Sequence, residues 1–160
     1  MLRRAMLLRE TALVRFLGLK IPSLLFVGPR VLELSDEGCA VEIPLGWRTK
    51  NHVGSMYVGV LCAGADLASG LNAARLIYAK HKDVVLVFAD LKAAFLKRAD
   101  GDVVFRMATG AAVADAVRRA DETGERQTIP VEVVATVPKK YGDEPVARFT
   151  MGLSLKRRST

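Results

Sequence analysis

Between Lys50 and Arg75 the chain carries a single charged side chain, Asp66. Around it runs a segment of small and apolar residues, Met56-Tyr57-Val58-Gly59-Val60-Leu61-Cys62-Ala63-Gly64-Ala65-Asp66-Leu67-Ala68. The stretch reads as a long helix from about Met56 to Ala79. It is apolar nearly all round, and such a helix is buried on most sides. A fold that contains it must therefore wrap something around it. Arg75 and Lys80 near its end suit the negative pole of the helix dipole. The run from Val53 to Ala74 is also long enough to span a bilayer. Asp66 at its centre would cost about 2.5–3.5 kcal/mol on insertion scales, and the Gly, Ser and Asn residues weaken it further. The expectation is a helix buried in protein.

A carboxylate taken out of water without a partner is costly. A buried acid answers by raising its pKa, by up to about 3–5 units when burial is complete. That makes a carboxylate useful as a base or nucleophile near neutral pH. Asp66 is thus a candidate functional group. The plainer alternative is that it is partly exposed, or bonded to a backbone group or a nearby Ser.

The 160 residues suit one domain, 1–160, with residues 1–20 as an N-terminal helical extension. At 51% hydrophobic and 26% charged, the chain is globular rather than disordered. Folding at this size buries roughly 70% of the accessible surface. The net charge of +7 suits an anionic partner or simple solubility. The aromatic content is 6% and the bases are scattered, clustering only at Lys156-Arg157-Arg158, which argues against a nucleic-acid partner. Near the start, Arg9, Glu10 and Arg15 interrupt any apolar signal region. No membrane partner is expected, and the expected location is cytoplasmic. Cys39 and Cys62 each fall on an apolar pattern and read as reduced core residues. His52 and His81 lie far apart and near no acidic cluster, so no metal site is expected.

Residues 4–17 fit an amphipathic helix that packs on its own domain. Ile21 to Pro29 reads as a loop. The period then switches to two. Val31 to Leu34, a turn at Asp36-Glu37-Gly38, and the face Cys39, Val41, Ile43, Leu45 form a hairpin with one buried side. Pro44 marks a strand end. After a polar loop over 46–55 comes the long helix. Val84 to Arg98 is apolar on both alternating faces, with Val84, Leu86, Phe88 and Ala94 on one and Val85, Val87, Leu91 and Phe95 on the other. This predicts a central, well-covered strand. Asp100-Gly101-Asp102 predicts a hairpin turn into the strand carrying Val103, Phe105 and Met107. Residues 111–123 read as a short helix with Val113 and Val117 inward, and Ile129–Val137 and Pro145–Leu155 as two closing strands. The fold class is α+β, with six antiparallel strands wrapped around one long helix.

Three local features now carry a resemblance. Asn51 and Gly54 sit just before the central helix. Gly59 and Asp66 stand seven residues apart. Phe95-Leu96-Lys97-Arg98-Ala99-Asp100-Gly101-Asp102 follows the apolar strand. In this order they resemble the hotdog-fold thioesterase superfamily, from about Pro22 to Leu155. The Gly59 to Asp66 spacing matches that from the second glycine of the His-Gly-Gly motif to the helix acid in the phenylacetyl-CoA thioesterase-like branch. Tyr57-Val58-Gly59 replaces His-Gly-Gly here, which is closer to an uncharacterised hotdog family. The resemblance implies two sheets joined in a dimer and an acyl-CoA substrate. No cofactor is implied beyond coenzyme A as part of that substrate.

Thioester hydrolysis needs donors for the oxyanion and a carboxylate that attacks or activates water. The free N–H groups at the helix start, about Tyr57 to Val60, are candidate donors. Gly59 lies roughly 10.5 Å along the helix from Asp66, whereas both must reach within about 3 Å of one reacting centre. Two antiparallel copies satisfy this and one does not, so a homodimer is expected, with pairing into tetramers left open. Asn51 orients the water or carbonyl, or is a turn residue. Ser55 is the expected helix N-cap. Tyr57 donates in the slot of the missing His, or packs at the interface. Val58 faces the acyl group less closely than a Gly would. Ser69, one turn on, is a candidate to hold the Asp66 carboxylate. Lys92, Lys97 and Arg98 meet the phosphates of coenzyme A, or form a solvated edge. The leading function is acyl-CoA thioester hydrolysis. Its rivals are a non-catalytic acyl-CoA binding module and a charge-driven surface binder.

Overall fold

The computed structural model describes Glu10, Ala12, Val14 and residues 19–158. Most of the helix expected over residues 4–17 lies outside the described residues. Ten elements follow: α1 Pro22–Phe26, β1 Arg30–Leu34, β2 Cys39–Ile43, α2 Val58–Lys80, β3 Val84–Phe95, β4 Val103–Met107, α3 Gly110–Thr123, β5 Gln127–Thr136, α4 Pro138–Tyr141 and β6 Pro145–Arg157. The strands form one antiparallel sheet in the order β1-β2-β4-β5-β6-β3. Helix α2 lies across its inner face and α3 packs beside it, which is the α+β hotdog arrangement the resemblance implies.

The hairpin β1–β2 forms with its turn at Asp36–Gly38, and β2 ends at Ile43 before Pro44. Ala40, on the opposite face from Val41, is also fully buried. Helix α3 ends at Gly124, whose φ of 72° closes the last turn in the left-handed region that glycine enters freely. Its Val113 and Val117 are fully buried, as their spacing predicts.

Three expectations are corrected. Ile21 to Pro29 is not all loop, because α1 forms with Pro22 at its start, where a missing N–H costs nothing. Residues 100–102 do not join a hairpin, since β3 pairs with β6 while β4 lies between β2 and β5. The segment instead crosses from the sheet edge to its middle. Asp102 accepts from the Leu45 N–H and the Lys139 ammonium, both at 3.0 Å, and Asp100 from the Tyr141 hydroxyl at 3.0 Å and from Lys140. These donors hold both carboxyl groups below the usual aspartate range. Finally, β3 is an edge strand and not a central one. Its residues from Ala89 to Phe95 are exposed.

The sequence period also misreads the faces of β3. A bulge between Phe88 and Leu91 shifts the register by one residue against β6. Phe88 stands opposite Leu153 and Leu91 opposite Met151, so Leu91 and Phe95 share the face of Leu86 and Phe88. Gly152 admits the bulge, because a Cβ there would lie 2.8 Å from the Asp90 Oδ1.

The core lies between α2 and the sheet. By length and composition α2 is apolar enough to cross a membrane, yet 67% of its apolar window is buried inside the fold. Cys39 is 1% exposed, and burial pushes its thiol up to about 12, which leaves it inert. Among the glycines of α2 the tightest contact is at Gly64, where a Cβ would meet the Phe105 ring at 2.3 Å. Phe105 is fully buried and packed on Phe149, with ring centroids 6.5 Å apart, so it has nowhere to move. Gly64→Ala is expected to destabilise the protein by about 1–3 kcal/mol through overpacking. Urea unfolding followed by circular dichroism checks this; an unchanged midpoint would mean that the helix does not press on Phe105.

Candidate functional site

The site begins with the loop before α2. Asn51 uses its side-chain carbonyl locally, accepting from the backbone N–H groups of Val53 and Ser55 at 3.1 Å each and from the Ser55 hydroxyl at 3.4 Å. It is therefore a turn residue that shapes the loop. Ser55 is buried within that turn and is not the N-cap. Tyr57 occupies that position and gives no side-chain cap.

Without a side-chain cap, donors at the helix start stay unused. The Tyr57 N–H donates to the Thr49 carbonyl at 2.8 Å, and the Val60 N–H turns back to the Tyr57 carbonyl at 2.9 Å. Val58 and Gly59 lie between them. Among the described residues neither N–H has an acceptor, and both residues are exposed. The expected four-residue donor set thus narrows to these two. The Tyr57 ring folds over Gly59, with its Cε1 2.6 Å from where a Cβ would stand. Gly59 is needed for that close approach.

Asp66 lies two turns further along α2, half-buried. No donor among the described residues bonds its carboxylate. Ser69, the expected partner, is fully buried and donates to the Ala65 carbonyl at 2.8 Å and to the Asp66 backbone carbonyl at 3.1 Å. A buried helix Ser commonly bonds back this way. Burial alone raises the Asp66 pKa above the usual aspartate range, and no cation offsets it.

The carboxylate opens onto a cleft of about 660 Å³ between α2 and the first half of β3. Leu67, Leu71, Ile77, Leu86 and Phe88 give it apolar walls, while Lys20, Lys82 and Arg158 lie on its rim. Tyr57, Val58, Gly59 and Asn51 do not line it. Neither do the expected cations. Lys92 is exposed on β3. Lys97 pairs with Glu144 at 2.7 Å and lies 5.1 Å from the Tyr141 ring centroid. Arg98 donates to the Val53 carbonyl. Sequence reasoning missed the cleft. Its signal was present in Gly70 and Ala74, small residues four and eight positions after Asp66 on one helix face. Among the described residues no three His, Cys, Asp or Glu side chains cluster as metal ligands would.

A raised folded-state pKa at Asp66 means that the native protein holds the proton more tightly than the unfolded chain. Stability therefore falls as pH rises from the ordinary aspartate value through the raised one. Asp66→Asn removes the desolvated charge. Its melting temperature is expected above wild type at pH 7, with the gain vanishing near pH 3. A variant that melts lower at pH 7 would show the ionised carboxylate to be compensated.

The fold is shared with solved structures. A Pseudomonas aeruginosa protein of unknown function, described as a probable thioesterase, is 24% identical over 92% of this chain and 96% of that one, with a TM-score of 0.74. A Chlorobaculum tepidum protein of unknown function is 13% identical over 93% and 94%, with a TM-score of 0.79. A Haemophilus influenzae thioesterase is 14% identical over 84% and 82%, with a TM-score of 0.58. At these identities the likeness is one of fold. No curated protein matches the chain. The family described as Domain of unknown function (DUF4442) matches residues 9–154, and the chain belongs to that family.

Proposed function

We propose that this protein is a homodimeric thioesterase acting on acyl-CoA, with Asp66 as the base or nucleophile. The observation that carries this reading is the unpaired, desolvated carboxylate at the end of an apolar cleft. Burial raises its pKa above the ordinary aspartate range, which makes it a stronger proton acceptor than a solvated carboxylate. In the general-base route Asp66 takes a proton from water, whose oxygen attacks the thioester carbonyl. The oxyanion collapses, the C–S bond breaks, and the thiolate of coenzyme A recovers a proton.

The oxyanion needs donors that Asp66's own helix cannot bring, since Gly59 is roughly 10.5 Å away along it. A second, antiparallel copy would offer the N–H groups of Val58 and Gly59. The exposed edge of β3 supports such a dimer. A long uncovered edge is a template for pairing, and Val87, Leu91 and Phe95 are 49%, 42% and 52% exposed. Closing a two-fold contact there would bury these side chains.

Asp66→Asn is expected to lower the release of free thiol from acyl-CoA by about a hundred- to ten-thousandfold while the dimer persists. Because the ionised carboxylate is the active form, wild-type turnover should rise with pH through a limb above the ordinary aspartate range. Full activity in the variant would overturn the assignment. Leu91→Arg at the β3 edge is expected to give monomers by sedimentation velocity and to lose turnover with them. An active monomer would discard the shared site.

The second reading is a non-catalytic acyl-CoA binding module. Tyr57-Val58-Gly59 in place of His-Gly-Gly favours it. Acyl-CoA binding by calorimetry without thiol release separates the two.

A further inference from the structure

We infer that the cleft beside Asp66 is a measuring channel for the acyl chain, and that the substrate class is the thioester of an unbranched acyl group of about 11 to 14 carbons. This rests on the thioesterase reading of Asp66 and goes beyond it, because that reading leaves the acyl group open.

The two sides of Asp66 differ in character. Toward the start of α2 lie exposed Val58 and Gly59 and their unpaired N–H groups. Toward its end lies the apolar cleft. A thioester has an apolar arm and a polar one. The pantetheine arm carries two amides, which would lose their water in the cleft without gaining partners. The cleft walls are mostly hydrocarbon, from Leu67, Leu71, Leu86 and Phe88. The acyl chain therefore enters the cleft, and coenzyme A stays on the exposed side.

The cleft also sets a length. From Asp66 to Tyr78, the last α2 residue that lines it, is twelve residues, or about 18 Å of helix. On the opposite wall Val84 to Phe88 spans four residues, or about 13 Å of strand. An extended alkyl chain advances about 1.25 Å per carbon, given a C–C bond of roughly 1.5 Å. The two walls thus accommodate about 11 to 14 carbons. The volume of about 660 Å³ falls within the range of small-molecule sites. At the far end Lys20 lies 5.9 Å from the Tyr78 ring centroid, and Lys82 and Arg158 share the rim. These charges are hydrated and give a methyl terminus nothing to gain by passing them.

Gly70 and Ala74 keep the channel open. At Gly70 a Cβ would stand 3.3 Å from the Phe88 ring and 3.7 Å from the Asp66 Oδ1, so this is the neck beside the carboxylate. Ala74 lies one turn further in, about 12 Å along the helix from Asp66. A large side chain there would fill the distal half of the channel.

The test is a series of straight-chain acyl-CoA thioesters from butyryl to palmitoyl. For wild type, kcat/KM is expected to climb by up to about fourfold per methylene. The climb should stop at 11 to 14 carbons. Ala74→Phe should move the maximum to about eight carbons, and Ala74→Leu, a smaller change in case the first misfolds, should move it partway. The same maxima are expected for N-acetylcysteamine thioesters, since the chain and not the carrier is measured. A flat wild-type profile, a maximum that moves with the carrier, or an Ala74→Leu profile unchanged in shape would each overturn the channel.

Binding separates this inference from the reading it rests on. Calorimetry with lauroyl-CoA and butyryl-CoA needs no turnover. Tighter lauroyl binding by tenfold or more, reduced in both Ala74 variants, would uphold the channel even if no thiol were released, and only the thioesterase reading would fall. Equal affinity for the two would remove the channel whatever the activity.

Discussion

Everything in this molecule follows from burying a helix that has almost no polar face. To cover α2 the sheet must curl around it, and to approach closely it needs the small residues Gly64, Ala65, Ala68 and Ala73. Three polar side chains go into the covered region. Ser69 satisfies its hydroxyl on its own helix. Asn72, fully buried, donates to the Ser35 carbonyl at 2.7 Å and so ties the helix to the β1–β2 turn. The Asn72 Oδ1 is buried without a partner, and the Asp66 side chain makes no hydrogen bond at all among the described residues. The fold thus carries an uncompensated carboxylate beside a largely apolar core. Such a cost is the pattern expected of a functional group and not of a structural one.

The second consequence concerns the sheet edge. The buried residues of α2 run from Val60 to Ile77, whereas the second half of β3, from Ala89 to Phe95, is left exposed. Its bulge turns Leu91 and Phe95 onto the inner face, where Phe95 meets Phe149 edge-on with centroids 6.1 Å apart and still stays half in solvent. The start of α2, with Tyr57 and Val58 about half exposed, is likewise uncovered. An exposed strand edge, exposed apolar side chains and unpaired N–H groups are thus present in the copy that also holds the unpaired acid. The proposed dimer would supply each of them with a partner.

The long helix, the β1–β2 hairpin, the short helix α3 and the two closing strands were legible from period and punctuation. The place of β3 was not. Apolar residues on both alternating faces normally mean a covered central strand, yet here they mark an edge. A single chain cannot show whether cover comes from its own sheet or from elsewhere. The bulge was invisible for a related reason, since it depends on Gly152 lying across from Asp90, more than sixty residues away in the chain. At the site, Asp66 and Gly59 were legible because a lone charge and a glycine stand out. Asn51 takes the turn role that was one of its two readings, and Ser69 bonds back to its own helix rather than to the Asp66 carboxylate.

The amino-acid order by itself determined that a nearly all-apolar helix had to be wrapped, and that one acid would be trapped within it. Those follow from local composition, because transfer of side chains out of water depends on what they are. Only the tertiary structure decided which donors at the helix start remained unused, that the cations expected near the site point elsewhere, and that an apolar cleft opens from Asp66 along the helix. These depend on which distant segments meet, and hydrogen bonds and cavities exist only once both of their sides are in place.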